Sequence, residues 1–193
     1  MVANSLGVTL TLSTDADSRS TFFKQYKEYI QQVLLPTEKE IKLILREWKR
    51  PGYWRKSDRL DPKDFRVAAP SPVQRIRTRI KRAESVEDKI LRRPDVFGDG
   101  LTPDSFRKMN DTLGARVILY FLCHVPLIDG ELKKLGDYFD ISDTDSPKAY
   151  LPEDLFNRLA LLHLNRKDKE SGYASVHYTL RLKKSKIPPL ALL

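Results

Sequence analysis

Residues 75–81 read Arg-Ile-Arg-Thr-Arg-Ile-Lys. Basic and less polar residues alternate strictly, and a period of two marks a β-strand. The alternation sets Arg75, Arg77, Arg79 and Lys81 on one face, with Ile76, Thr78 and Ile80 on the other. A helix with Val73, Ile76, Ile80 and Ala83 as its apolar stripe fits the same stretch and stays open. Helical character is clearer from Glu84 to Arg93, where Pro94 ends it.

Downstream, Thr102-Pro103-Asp104 has the form of a helix start, with threonine as N-cap and proline in the first turn, and that helix is expected to run to about Asn110. Leu113 to Leu122 is rich in β-branched and aromatic residues and reads as a buried strand. A short helix over Asp129–Leu135, a strand near Tyr138–Ile141 and a turn holding Asp140, Asp143 and Asp145 follow. A leucine-rich helix over Leu155–Leu164 precedes a last alternating stretch, Tyr173 to Leu182, which reads as a strand.

Upstream, Phe22, Tyr26, Tyr29, Ile30, Val33 and Leu34 recur at helical spacing until Pro36 interrupts them. A second helix then carries Ile41, Ile44, Leu45 and Trp48 on one face, and residues 50–72 read as a loop rich in proline. Residues 1–20 are expected to be a mobile lead or a short edge strand. Helices and strands intermingle, so the expected class is α/β or α+β, a mixed β-sheet flanked by helices. The domain is expected over residues 21–182, with residues 183–193 as a tail.

The 193 residues are 40% hydrophobic, enough for a packed core, which excludes wholesale disorder. One cysteine, Cys123, cannot form an internal disulfide, as expected of a reducing, cytoplasmic compartment. No apolar run approaches the ~18–20 residues of a membrane span, and Val2 to Leu12 lacks the basic lead-in of a signal peptide. The net charge is +9, and residues 46–93 alone carry that whole excess, with 16 basic against 7 acidic side chains. Residues 137–154 are acidic and residues 166–193 basic again. Such asymmetry points to a polyanionic partner, although ordinary solvated faces would look the same.

Three stretches together resemble the synthetase domain of the RelA/SpoT family, enzymes that make the alarmones pppGpp and ppGpp. Arg79-Ile80-Lys81, Ser85 and Lys89 are similar to its Arg-x-Lys-x3-Ser-x3-Lys pattern. Asp111-Thr112-Leu113-Gly114-Ala115-Arg116 resembles its Asp-Leu-x-Gly-x-Arg strand. Lys169-Glu170-Ser171-Gly172-Tyr173-Ala174-Ser175-Val176-His177 is close to its Lys-x-x-Gly-Tyr-x-Ser-x-His signature. The resemblance covers roughly residues 22–182 and is greatest to small stand-alone synthetases. It implies a nucleotidyltransferase-like fold that transfers pyrophosphate from ATP to the 3′-hydroxyl of GDP or GTP. By resemblance, Arg79 holds the adenine of ATP, and Lys81, Ser85 and Lys89 address its phosphates. Asp111 would be the catalytic carboxylate and Mg²⁺ ligand. Tyr173 would stack on the guanine, with His177 and Lys169 near the acceptor phosphates.

The residues are chemically suited to those roles, and each has a plainer reading beside it. Same-face strand residues recur every ~6.6–6.8 Å, a repeat on which Arg79 and Lys81 can grip neighbouring parts of a triphosphate. Ser85 and Lys89 lie four apart on one helix face. The plainer reading is a solvated basic edge strand. Asp111 needs a partner before a buried strand, which a metal supplies, yet aspartate also caps helices and turns. Tyr173 and His177 fall on one strand face and could equally be core packing and a satisfied strand histidine. Arg116 could bind phosphate or pair with Asp111.

The resemblance also implies a further strand carrying Glu-x-Gln, whose glutamate is a second catalytic carboxylate. Here the corresponding stretch is Lys183-Lys184-Ser185-Lys186-Ile187-Pro188-Pro189, and no Asp or Glu follows Glu170. A fold incomplete at its C-terminus is therefore expected. The alternatives are an inactive nucleotide-binding module of the same fold and a relative that pyrophosphorylates another acceptor such as tRNA. A plain nucleic-acid-binding module is disfavoured, because beyond Tyr53 and Trp54 no aromatics interleave with the basic stretch. RNA remains a candidate partner, no membrane partner is expected, and a homo-oligomer stays open.

Overall fold

The computed structural model describes residues 16–56, 70–98, 100–137, 139–141, 147–158, 164–167 and 174–183. Helix α1 (Ala16–Tyr29) begins in what reads as the lead segment, and α2 (Leu35–Lys49) follows it through a π-helical turn, Ile30–Leu34. Pro36 does not break this path. It falls in the first turn of α2, where no backbone N–H is required of it, so the expected interruption is a change of pitch. Strand β1 (Val73–Ile80) is followed by α3 (Ala83–Arg92) and α4 (Pro103–Arg107). Thr102 caps α4 as expected, accepting a bond from the Ser105 N–H at 3.3 Å, but the helix ends at Arg107, short of Asn110.

The strand reading of residues 75–81 holds. Arg75, Arg77 and Arg79 are exposed, whereas Ile76, Thr78 and Ile80 are half-buried. β1 pairs antiparallel with β2 (Leu113–Leu119), with Arg79 opposite Gly114, Arg77 opposite Arg116 and Arg75 opposite Ile118. β2 is shorter than the expected Leu113–Leu122 and is not fully buried, since Gly114, Ala115 and Arg116 are exposed. Among the described residues β2 pairs with β1 alone, so one face of the ladder packs and the other meets water.

The second half departs further from expectation. Helix α5 (Val125–Lys134) starts four residues before Asp129 because Pro126 suits a first helical turn. β3 (Phe139–Ile141) pairs with β7 (Leu180–Leu182), which places Asp140 in a strand rather than a turn. Asp143 and Asp145 lie outside the described residues. β4 (Lys148–Tyr150), unforeseen between two prolines, is flanked by β5 (Asn165–Arg166, parallel) and β6 (Ser175–His177, antiparallel). Helix α6 (Glu153–Arg158) begins two residues before the expected Leu155–Leu164 helix, of which residues 159–163 lie outside the described residues, and Leu164 is a buried residue leading into β5.

The single strand expected over Tyr173–Leu182 is two strands in different sheets. The break falls at Tyr178, whose hydroxyl donates to the buried Asp129 carboxylate of α5 at 2.6 Å. Asp129 is also paired with Lys133 at 2.8 Å. A buried carboxylate requires such partners. The class, helices mixed with small sheets, is as expected.

Three apolar clusters hold these elements. The first joins α1, α3 and α4 through Phe22, Tyr26, Val86, Ile90 and Phe106, with the Tyr26 and Phe106 rings edge-on at 5.3 Å. The second packs Trp48, Trp54 and Val73 against Ile128 of α5. The third gathers Val125, Ala149, Leu151 and Leu164. Ile80 leans on the first cluster and Ile76 on the second, so β1 bridges two cores.

At Thr78 that bridge is fastened to α2. Its hydroxyl donates to Glu38 at 2.6 Å, and Lys42 pairs with the same carboxylate at 2.9 Å. The Thr78 bond first, and the Lys42 bond after it, hold the Glu38 carboxyl below its usual value. A depressed folded pKa adds stability above the unfolded value that is lost as pH falls through the folded one. Thr78→Val should therefore cost about 1–2 kcal/mol near neutrality in urea unfolding, with the difference from wild type shrinking on acidification. A gap unchanged across the carboxylate range would separate Glu38 from that stability.

Candidate functional site

Where β1 ends, Lys81 keeps the ladder going for one more rung, its N–H bonding the Thr112 carbonyl at 2.8 Å. This brings Lys81 beside Asp111, just before β2. Helix α3 starts two residues later, and Lys89 on its second turn reaches the same carboxylate. Lys81 Nζ lies 2.8 Å from Asp111 Oδ2, and Lys89 Nζ lies 2.8 Å from Oδ1. One carboxylate thus separates two ammonium groups delivered by a strand end and a helix.

The three side chains are graded in exposure. Lys81 is 14% exposed, Lys89 34% and Asp111 46%. The cluster is therefore anchored on the Lys81 side and open to solvent on the Asp111 side. Burial alone would raise the Asp111 carboxyl, but the hydrogen bonds from Lys81 and Lys89 outweigh it and hold the pKa below the ordinary carboxylate value. Asp111 is ionised at neutral pH.

A phosphate chain approaching this face meets two cations already drawn together and oriented. Arg79 precedes Lys81 by one same-face step and is exposed. Ser85 is exposed on α3, one turn before Lys89. The structure therefore places Arg79, Lys81, Ser85, Lys89 and Asp111 on adjoining elements, with Lys81, Lys89 and Asp111 in direct contact. Arg116 is not the partner of Asp111. It stands two residues beyond Gly114 on β2, opposite Arg77.

Two supports of this cluster were not legible as such. The Tyr26 hydroxyl donates to the Lys81 carbonyl at 2.9 Å from within the first core. Burial, then Tyr29 and Asp111, push its pKa well above the usual tyrosine value, so the hydroxyl stays a donor. Glu87, buried on α3, is held by Arg19 of α1 through Oε1 at 2.6 Å and Oε2 at 3.1 Å. Tyr26 was readable only as part of an apolar stripe, and Glu87 only as one more charge in a charged segment.

The other half of the expected site is less complete. Lys169 and Tyr173 lie outside the described residues. His177 is exposed in β6, with Ser175 Oγ 3.1 Å from its Nε2 and the Tyr150 ring 4.9 Å away. Ser175 and His177 do share a strand face, as alternation requires.

Among the described residues no group of three or more His, Cys, Asp or Glu side chains forms a protein-built metal cage. Mg²⁺ needs less than a cage, since one or two carboxylates with substrate phosphates suffice. Asp111 fits that pattern, provided a phosphate takes over one of its ammonium partners. No described helix is long and apolar enough to cross a membrane.

The family model described as the region found in RelA / SpoT proteins matches residues 78–189, more than half of the chain and a span that contains Arg79, Lys81, Ser85, Lys89, Asp111 and His177. Comparison with curated proteins and with solved structures gave no match.

Replacing Tyr26 by Phe keeps the packed ring and removes only the bond to the Lys81 carbonyl. The variant should lose about 0.5–1.5 kcal/mol in urea unfolding. It should also bind ATP more weakly than wild type, because the Lys81 backbone is released. Unchanged stability and unchanged ATP affinity would dismiss Tyr26 as a support of the site.

Proposed function

The chain belongs to the RelA/SpoT family, and on that premise we propose that it transfers pyrophosphate from ATP to the 3′-hydroxyl of GDP or GTP. The family is one of (p)ppGpp synthetases, whose substrates are nucleotides of this kind. The observation that carries the finer reading is the pair of ammonium groups held 2.8 Å on either side of Asp111.

Phosphoryl-type transfer depends on positioning and on stabilising charge spread over phosphate oxygens. Lys81 and Lys89 are drawn together before substrate arrives, so little reorganisation is needed when a triphosphate binds. Arg79 has the planar, always-charged group needed to stack on an adenine while the phosphates run toward Lys81. Ser85, a turn from Lys89, can donate to a phosphate oxygen. Asp111, ionised and half-exposed, is the group available to accept the proton of the attacking 3′-hydroxyl. Mg²⁺ bound with the ATP phosphates would be held by Asp111 and would supply further neutralisation of their charge.

On the acceptor side, Tyr173 stacking on guanine with His177 and Lys169 near its phosphates completes the reading. An aromatic face binds any purine by stacking, so the discrimination between GDP and GTP would rest on the basic residues.

The test uses the full chain with ATP labelled in its β-phosphate, Mg²⁺, and GDP or GTP as acceptor. Wild type should form a 3′-pyrophosphorylated guanosine nucleotide. Asp111→Asn should lower the rate by about 10²-fold or more and also change ATP affinity, because Lys81 and Lys89 lose the carboxylate that holds them together. Absence of transfer by a chain that still binds ATP would overturn the proposal.

A further inference from the structure

The three-stranded sheet β5–β4–β6 has two unlike faces. Ala149 of β4 stands opposite Val176 of β6, and both pack in the third apolar cluster. The positions to either side of them alternate to the other face. There Lys148 stands opposite His177, and Tyr150 opposite Ser175. Across the parallel ladder, the partner of Lys148 is Asn165 of β5. One row across the sheet therefore reads Asn165, Lys148, His177: an amide, an ammonium group and an imidazole on the same side. Neighbouring strands lie ~4.7–4.9 Å apart, so the row is roughly 10 Å long.

The middle member of that row is the informative one. β4 has a strand on each side, and Lys148 on it is half-buried, whereas Asn165 and His177 are exposed. Lysine is depleted in strands, where it packs poorly against its neighbours. The imidazole across the ladder is meanwhile held from two directions. Ser175 Oγ lies 3.1 Å from His177 Nε2, and the Tyr150 ring meets the imidazole edge-on with centres 4.9 Å apart. A fixed imidazole and a lysine thus stand side by side, with an amide next in line. All three can donate hydrogen bonds to phosphate oxygens.

We propose that Lys148 is a specificity-determining residue for the acceptor nucleotide, its ammonium group binding the terminal phosphate of GTP beside His177. The inference rests on the assignment of His177 to the acceptor phosphates. A diphosphate held at His177 ends one strand spacing short of Lys148, and a third phosphate extends into it. The lysine ammonium, a compact charge with three rotatable donors, suits a terminal phosphate that presents several oxygens. Asn165, one strand further, can donate to the same group. The chain should therefore prefer GTP to GDP.

The full chain is assayed with ATP and Mg²⁺ while GTP or GDP is varied, and equilibrium dialysis of each guanosine nucleotide without ATP reads binding apart from transfer. Wild type should bind GTP more tightly than GDP. Lys148→Gln keeps the length of the side chain and removes its charge. It should raise both KM and Kd for GTP about tenfold, the loss of one charged hydrogen bond, and leave those for GDP nearly unchanged. kcat should hold with either acceptor, because Lys148 does not touch the reacting hydroxyl. Lys148→Arg, which retains the charge, should keep most of the preference for GTP.

Unchanged GDP binding by Lys148→Gln would itself show that the variant is folded, and thermal unfolding at the wild-type temperature would agree. The proposal is overturned if wild type does not bind GTP more tightly than GDP. It is equally overturned if Lys148→Gln weakens both nucleotides alike, or neither. Transfer to GTP with an unchanged preference in Lys148→Gln would uphold the pyrophosphotransferase reading and remove Lys148 from it. A selective loss of GTP binding in a chain whose wild type transfers nothing would do the reverse.

Discussion

Two lysine ammonium groups cannot sit on adjoining elements, facing one place, unless something negative lies between them. In this chain that something is Asp111, and the carboxylate joins the end of β1 to the second turn of α3 with one bond to each. The arrangement fixes the angle at which the strand hands over to the helix. It also leaves the cluster with a net positive charge once the carboxylate is counted, which is the sign an incoming polyphosphate requires. The contact is half-exposed, so its direct contribution to stability is modest. Its consequence is geometric: it stores two cations at a spacing they would not otherwise hold.

The surroundings reinforce that geometry from opposite sides. Tyr26 reaches out of the aromatic core to the Lys81 carbonyl, and Arg19 reaches across from the same helix to the buried Glu87 of α3. α1 therefore grips both elements that Asp111 joins, the strand end through Tyr26 and α3 through Arg19, about two turns apart along its own length. Truncating either contact would leave a buried polar group without its partner, and such groups are costly. The aromatic cluster is thus more than filler. It is the base from which the polar contacts are aimed.

Residues 75–81 could be read because a period of two has a single structural consequence for a strand with one packed face. Arg79, Lys81, Ser85, Lys89 and Asp111 were named by the resemblance of their motifs to the family's, and the fold brings them to adjoining elements. What periodicity cannot express is a contact made by a single atom of an otherwise apolar residue, which is why Tyr26 read only as core. Short strands flanked by prolines carry too few residues for a period, so β4 gave no signal. The last alternating stretch misled because alternation continues across Tyr178 while the backbone changes sheets. A tyrosine drawn to the buried Asp129 decides that change, and Asp129 is 49 residues away in sequence. Leu155–Leu164 misled for a related reason: leucine spacing reports burial, and Leu164 is buried beside a strand rather than in a helix.

The two faces of the β1–β2 ladder divide the work of the chain between them. Inward, Ile76 and Ile80 tie two apolar cores together, and Thr78 ties the strand to Glu38 of α2. Outward, the alternate positions are free of any packing duty, and they carry Arg75, Arg77 and Arg79. A strand position that packing does not constrain accepts many residue types, and lysine or a polar neutral residue would serve solubility as well. Three arginines in successive outward positions, facing a fourth across the ladder, are the choice that costs the most in mutual repulsion. Because the inward face already fixes the register, that repulsion cannot be relieved by slipping the strands, as a one-residue slip would expel Ile76 and Ile80 from their cores. The positive charge is held in place by the hydrophobic packing beneath it, and an anion is what remains to balance it.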